Sequence, residues 1–171
     1  KVFEEVQADG VKQRVLQTTW VCNLKDNKPK ARLVVRGYQE DTSKISSESP
    51  TCNKETIRML MVVAVTKSWE LQSLDVKAAF LQGAAFVREV YISPPKEAGV
   101  SHDKVWKLIK CVYGLVDASL AWYFTLKALF LTLGGKVGVD PGLFYWEKEG
   151  QLIGFVCVHV DDFIYAGSEE F

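Results

Sequence analysis

Apolar and polar positions along this chain recur at two periods, near two and near three to four residues, and the changes of period divide it into elements. Lys1 to Ala8 and Val11 to Leu24 read as extended pieces on either side of an Asp9-Gly10 turn. Lys30 to Tyr38 reads as another strand, with Lys30, Arg32 and Val34 on one side and Leu33 and Val35 on the other, so an antiparallel lobe of basic strands is expected. The polar stretch from Gln39 to Pro50 is a loop. Asn53 is placed to cap a helix whose apolar residues Ile57, Leu60, Met61 and Ala64 follow the three-four spacing, with Glu55 in the first turn where the helix dipole favours an acid. That helix ends near Lys67 and hands over to a short strand carrying Asp75, followed by a helix-like stretch that stops at Gly83. Val87 to Ile92 alternates as a short strand, a loop runs to Asp103, and Val105 to Leu115 is a strand-and-turn segment. Asp117 or Ser119 caps a second helix through Phe130, closed by Gly134-Gly135, and because it is apolar almost all round it is expected to be buried. After an Asp140-Pro141-Gly142 turn come a strand from Leu143 to Trp146, a turn from Glu147 to Gly150 and a closing hairpin. The order predicts an α+β fold built on an antiparallel sheet.

The closing hairpin carries the most informative polar residues. Asp161 and Asp162 separate the apolar runs Leu152 to Val160 and Phe163 to Gly167, which places two carboxylates at the hairpin tip. Two like charges beside a hydrophobic sheet are costly, and one is protonated unless a cation compensates both; a divalent metal is the simplest compensator. Aspartate is also a common turn former, so the pair alone serves a turn as readily as a site. Asp75, at a strand end in similar surroundings, changes the balance, because an acid there can meet the hairpin pair across one sheet.

At 171 residues, 48% apolar and 25% charged, the chain suits one compact globular domain, or one domain with a small lobe, and is not disordered or fibrous. The longest apolar candidate for a membrane span, Leu152 to Gly167, is interrupted by both aspartates, and Lys1 to Glu5 does not resemble a secretory signal. The chain starts without Met, which fits a fragment of a longer protein. Four scattered cysteines without a CxxC pair and two histidines argue against zinc and for a reduced intracellular setting. Cys111 and Cys157, in apolar runs, read as core thiols. His159 lies two residues before Asp161, on the same strand face by the period of two, and reads as a structural residue beside the acids rather than a ligand. Twenty-one bases balance twenty-one acids, which argues weakly against an obligate nucleic-acid binder, yet Lys25, Lys28, Lys30, Arg32 and Arg36 are opposed locally by Asp26 alone. Lys104, Lys107 and Lys110 form a second basic group, and either group also suits a solvated face.

Four strings in order carry a resemblance. Lys30-Ala31-Arg32-Leu33-Val34-Val35-Arg36-Gly37, Leu74-Asp75-Val76-Lys77-Ala78-Ala79-Phe80-Leu81-Gln82-Gly83, Val112-Tyr113-Gly114-Leu115 with Ala121-Trp122-Tyr123, and Val160-Asp161-Asp162 resemble the reverse transcriptase of copia-type LTR retrotransposons, the RNA-dependent DNA polymerase domain of a Pol polyprotein. Trp20-Val21 and Thr56-Ile57-Arg58 fit it too, so the resemblance runs from about Trp20 to Ser168. It implies a polymerase palm-like antiparallel sheet backed by helices, with a small β-rich fingers lobe: residues 1–50 as partial fingers and 51–171 as palm. It also implies Asp75 as the first-motif metal ligand and Asp161 and Asp162 as the catalytic pair, with Asp162 either a ligand or a support. Two Mg²⁺ ions, or Mn²⁺ in their place, are the implied cofactors. Lys30, Arg32 and Arg36 are implied to carry charge to the triphosphate or template, Phe80 to lie under the incoming sugar and exclude a 2′-hydroxyl, and Gly114 to let the backbone approach nucleotide or template. Phe80 equally suits a core aromatic. The implied partners are an RNA or DNA template with its primer and deoxynucleoside triphosphates, with no membrane, in the cytoplasm within a virus-like particle or in the nucleus.

Departures from the family pattern stand beside these expectations. After Tyr113-Gly114-Leu115 many relatives read Lys-Gln-Ala-Pro-Arg, whereas this chain has Val116-Asp117-Ala118-Ser119-Leu120, and His159 stands where Tyr is frequent. The resemblance further implies that the thumb and RNase H domain are absent from this stretch, that the fragment alone is inactive, and that its last palm strand is left as an exposed edge. A decayed, non-catalytic relic that acts at most as a nucleic-acid or protein interaction module is the alternative. A palm-like cyclase or phosphodiesterase lacks a supporting glycine-rich loop.

Overall fold

The computed structural model describes the whole chain except Phe86 and Val87, and at Lys44 the backbone only. In chain order the elements are β1 (Phe3–Gln7), β2 (Val15–Leu16), β3 (Thr18–Lys25), β4 (Lys28–Val35), α1 (Lys54–Thr66), β5 (Gln72–Asp75), α2 (Ala79–Gln82), β6 (Tyr91–Ile92), β7 (Lys104–Leu108), α3 (Ala118–Thr132), β8 (Lys136–Val137), β9 (Leu143–Lys148), β10 (Gln151–His159) and β11 (Asp162–Gly167). The fold is mixed α+β with largely antiparallel sheets and few helices. It divides into two compact units, one formed by Lys1–Ser47 with Phe80–Ala121, the other by Glu48–Ala79 with Trp122–Phe171.

The first unit holds a four-stranded sheet in the order β1-β7-β6-β2, where β2 and β6 run parallel. It also holds the β3-β4 hairpin, which turns through Asp26 and Asn27 at φ 53° and 58°. Two left-handed central residues are the signature of a type I′ turn, and Asp and Asn are among the few side chains that tolerate it. The strand expected over Lys30 to Tyr38 is Lys28–Val35; Arg36 lies beyond it and a 3₁₀ turn follows at Gly37–Gln39. Of the strand expected from Val87 to Ile92, Tyr91–Ile92 is formed, and Val87 lies outside the described residues. Leu16, Val35, Ile92, Trp106 and Leu108 fill the core, and Phe3 stacks on Trp106 with ring centroids 3.9 Å apart.

The second unit is an antiparallel five-stranded sheet in the order β5-β11-β10-β9-β8. β11 therefore lies between β10 and β5, and the expectation of an exposed final strand is overturned: β5, distant in sequence, covers that edge. Asn53 caps α1 as expected, its Oδ1 accepting the Thr56 N–H at 2.8 Å. Leu60 and Ala64 pack with Leu143, Phe155, Cys157 and Ala166 on one sheet face, whereas Met61 points to solvent. The opposite face is covered by α3, where Phe130 meets Phe144 at 4.9 Å and Phe163 at 6.0 Å. A helix lying on a sheet buries one side only. Trp122, Tyr123 and Leu126 are accordingly buried while Phe124, Leu129 and Leu131 are exposed, which corrects the expectation of burial all round.

Candidate active site

β10 and β11 meet through a two-residue turn, Val160-Asp161, with His159 and Asp162 as the flanking cross-strand pair. The two aspartates are thus not both at the tip, as their adjacency suggested. Asp161 is in the turn, and Asp162 opens β11 directly opposite Asp75, the last residue of β5. By alternation Asp162 continues the row Ala166, Ile164; those two pack against the α1 core and Asp162 is exposed. The turn also breaks the period of two that would set His159 beside Asp161, and the strand mate of His159 is Asp162.

Val160 has φ +58°, positive only at the first turn position, as in II′ hairpins that normally place glycine there. For a β-branched residue this conformation costs on the order of 1–3 kcal/mol and persists only where its surroundings enforce it. Here both turn carbonyls are engaged. The Trp122 indole N–H donates to Val160 O at 2.8 Å, and the Val76 N–H donates to Asp161 O at 2.8 Å. Behind the turn, Val158 accepts the Cys52 N–H and donates to Gly142 O, both at 2.8 Å. The buried Asp140 carboxylate takes the N–H groups of Asn53 (2.8 Å) and Gly142 (2.9 Å).

Asp75 and Asp162 are exposed and Asp161 is half-buried, so water carries much of the cost that two adjacent charges incur in an apolar setting. Three carboxylates are the hard oxygen donors that Mg²⁺ takes, and the strand register brings two of them opposite each other. Among the described residues, no three His, Cys, Asp or Glu side chains are gathered closely enough to hold an ion.

The other candidate residues belong to the first unit. Lys30 is exposed on β4, paired in register with Asn23. Arg32, also exposed, places its guanidinium 5.6 Å from the centre of the Tyr113 ring. Arg36 is half-buried and donates to Gln17 Oε1 at 3.0 Å. Phe80 packs against the apolar core, edge-on to Tyr113 at 5.1 Å, as a core aromatic does. Gly114 has φ +93°, and a Cβ there would lie 2.1 Å from Val35 O. The absence of a side chain at Gly114 is therefore already required by packing within the chain.

Two features of consequence carry no sequence pattern. Trp122 lies in the Ala121-Trp122-Tyr123 string, whose resemblance implies no role for it, and nothing local in sequence ties it to Val160. The anomalous Val116-Asp117 segment is anchored by a cluster whose members come from distant stretches. Arg88 grips both oxygens of Asp117 at 2.8 Å and also pairs with Glu40, whose other oxygen accepts the Val116 N–H at 3.0 Å. Burial works against the charge on Arg88, but Asp117 and then Glu40 outweigh it and hold the guanidinium above its ordinary pKa.

Over residues 1–170 the chain matches the family described as Reverse transcriptase (RNA-dependent DNA polymerase). It is 36% identical over 148 residues to the Retrovirus-related Pol polyprotein from transposon RE2 of Arabidopsis thaliana, covering 84% of this chain and 10% of that protein. To the Retrovirus-related Pol polyprotein from transposon TNT 1-94 of Nicotiana tabacum it is 30% identical over 169 residues, 92% of this chain and 13% of the relative. The Truncated transposon Ty1-A Gag-Pol polyprotein of Saccharomyces cerevisiae is 31% identical over 170 residues, with shares of 96% and 13%. The chain thus spans 10–13% of the length of these curated relatives. No solved structure matches it. A match that runs nearly end to end, over motifs whose acids the register of one sheet brings side by side, has a single explanation: the chain belongs to the reverse transcriptase (RNA-dependent DNA polymerase) family, with copia-type Pol polyproteins as its relatives.

Proposed function

We propose that this chain supplies the nucleotidyl-transfer centre of an RNA-directed DNA polymerase, and that Asp75, Asp161 and Asp162 are its catalytic acids. The register that sets Asp162 opposite Asp75, one residue from Asp161, carries this reading. Asp75 and Asp161 would hold two Mg²⁺ ions, or Mn²⁺, with Asp162 a third ligand or a support. Bound there, the ions would make the primer 3′-hydroxyl nucleophilic and neutralise charge developing on the triphosphate. The palm corresponds to residues 51–171 and the fingers to residues 1–50, where Lys30, Arg32 and Arg36 offer cations to the triphosphate or template. Phe80 would bar a 2′-hydroxyl, and Gly114 would keep the backbone open to the nucleotide. The substrates are a primed RNA or DNA template and deoxynucleoside triphosphates, and the setting is intracellular, in a cytoplasmic particle or the nucleus. No helix among the described residues is long and apolar enough to cross a membrane.

Primer extension on a defined RNA template with Mg²⁺ tests this, using the chain and a longer Pol protein containing it. Incorporation is expected from the longer protein and not from the chain alone; Asp161→Ala is expected to abolish it, and incorporation that survives the substitution sinks the assignment. A Phe80→Ala variant that still rejects ribonucleotides removes Phe80 from the sugar gate. A second reading, a non-catalytic relic serving as an interaction module, draws on the lack of a gathered three-ligand set among the described residues. It requires RNA binding in filter assays that ignores both metal and Asp161→Ala.

A further inference from the structure

The Val160-Asp161 turn is held in a conformation that its own sequence disfavours, and one side chain is placed to hold it. Trp122, on α3, is 5% exposed, and its indole N–H donates to the Val160 carbonyl at 2.8 Å. The neighbouring carbonyl, of Asp161, is taken by the backbone of Val76, the residue after Asp75. The peptide units on both sides of the Asp161 Cα are therefore clamped, one by a helix behind the sheet and one by the residue that follows the strand carrying Asp75. Rotation of either unit changes the φ or ψ of Asp161 and with it the direction of the Asp161 carboxylate. An indole is suited to this task because it is a single fixed donor at the end of a rigid, buried ring, with no acceptor to compete.

We propose that Trp122 is a positioning residue for Asp161: its N–H fixes the turn and so aims the carboxylate, while its ring merely packs. This rests on Asp161 being a catalytic acid only for its kinetic consequence; the claim that Trp122 sets the turn conformation stands without it.

Removing the N–H while keeping the ring separates the two roles. Trp122 is replaced by β-(3-benzothienyl)alanine, which has sulfur in place of the indole N–H, with Trp122→Phe as the conventional companion. Amide hydrogen exchange over Val160 to Asp162 is expected to quicken about fivefold to tenfold in the benzothienyl protein, in line with loss of one ordinary hydrogen bond, while Val156 and Ile164 keep their rates. In primer extension, kcat is expected to fall about tenfold with KM for the nucleotide unchanged, since the pocket is intact and only the aim of Asp161 is loosened. Unchanged exchange across the turn overturns the proposal, and so does quickened exchange with unaltered kcat. If the unmodified protein incorporates no nucleotide in any form tested, the polymerase reading falls, and the exchange rates alone decide whether Trp122 holds the turn.

Discussion

Removing the Asp140 carboxylate should unfasten the support behind the hairpin. The side chain is 6% exposed and accepts the N–H groups of Asn53 at 2.8 Å and Gly142 at 2.9 Å. These donors stand at the start of α1 and beside the start of β9, and Val158, two residues before the turn, is bonded to Gly142 and Cys52. Asp140→Ala leaves two buried donors without an acceptor at roughly 1–3 kcal/mol each, hence a destabilisation of about 2–6 kcal/mol, the lower end applying if water enters. Asp140→Asn keeps one acceptor oxygen and turns an NH₂ toward the other donor, for about 1.5–3 kcal/mol. Urea unfolding at neutral pH measures both, read as a lower midpoint at unchanged slope. A loss under about 1 kcal/mol for Asp140→Ala would refute the reasoning, because it would mean that the two donors find other partners at no cost. The pH dependence is a second check. Burial pushes the Asp140 carboxyl up, but the N–H groups of Asn53 and Gly142, with the Thr56 hydroxyl and Cys52 thiol, hold it below the ordinary carboxylate value. A depressed folded value contributes stability that is full above the unfolded pKa near ~3.9 and is lost as pH falls through the folded one. The gap between the native protein and Asp140→Asn should therefore be constant above about pH 5 and close as the solution is acidified below about pH 4.

Three further outcomes follow from the same geometry. Arg88→Ala strands the Glu40 carboxylate, whose side chain is 3% exposed, and should cost about 2–3 kcal/mol in denaturant unfolding, less than a fully buried pair because Arg88 itself is 31% exposed. Restoration of stability by adding Glu40→Gln is expected; a silent Arg88→Ala would remove the cluster from the account. Gly114→Ala drives a Cβ into Val35 O and strains a positive φ, so a destabilisation of at least about 2 kcal/mol is expected, and a neutral result would show that β4 can move away. Aromatic-disulfide titration at pH 8 should modify Cys22 at once and spare Cys52, Cys111 and Cys157 until unfolding, because burial pushes those three thiols up, Cys111 to about 12.

Features governed by neighbours in sequence were readable before the fold was known. Asn53 caps α1 because an Asn three residues before Thr56 can reach its N–H, and no tertiary partner is needed for that. Cys157 and Cys111 are buried as their apolar runs indicated. The closing hairpin forms because two apolar runs flank a two-residue turn. Expectations that assumed a constant period failed where the period stops. His159 loses its place beside Asp161 at the turn, and α3 exposes Phe124 and Leu129 because only one side of it faces the sheet.

By itself the sequence determined the family, the caps and turns that start and stop many elements, and which three acids to propose for the site, since motifs, caps and turns are written in residues at short, fixed spacing. Only the tertiary structure decided that Asp162 rather than Asp161 faces Asp75, that Trp122 reaches Val160, and that Arg88 joins Glu40 to Asp117. These are meetings of residues 29 to 87 positions apart, as Arg88 with Asp117 at one extreme and Asp75 with Asp162 at the other. Strand register and helix packing create them, and both are set by the burial of apolar faces over the whole sheet rather than by any local pattern.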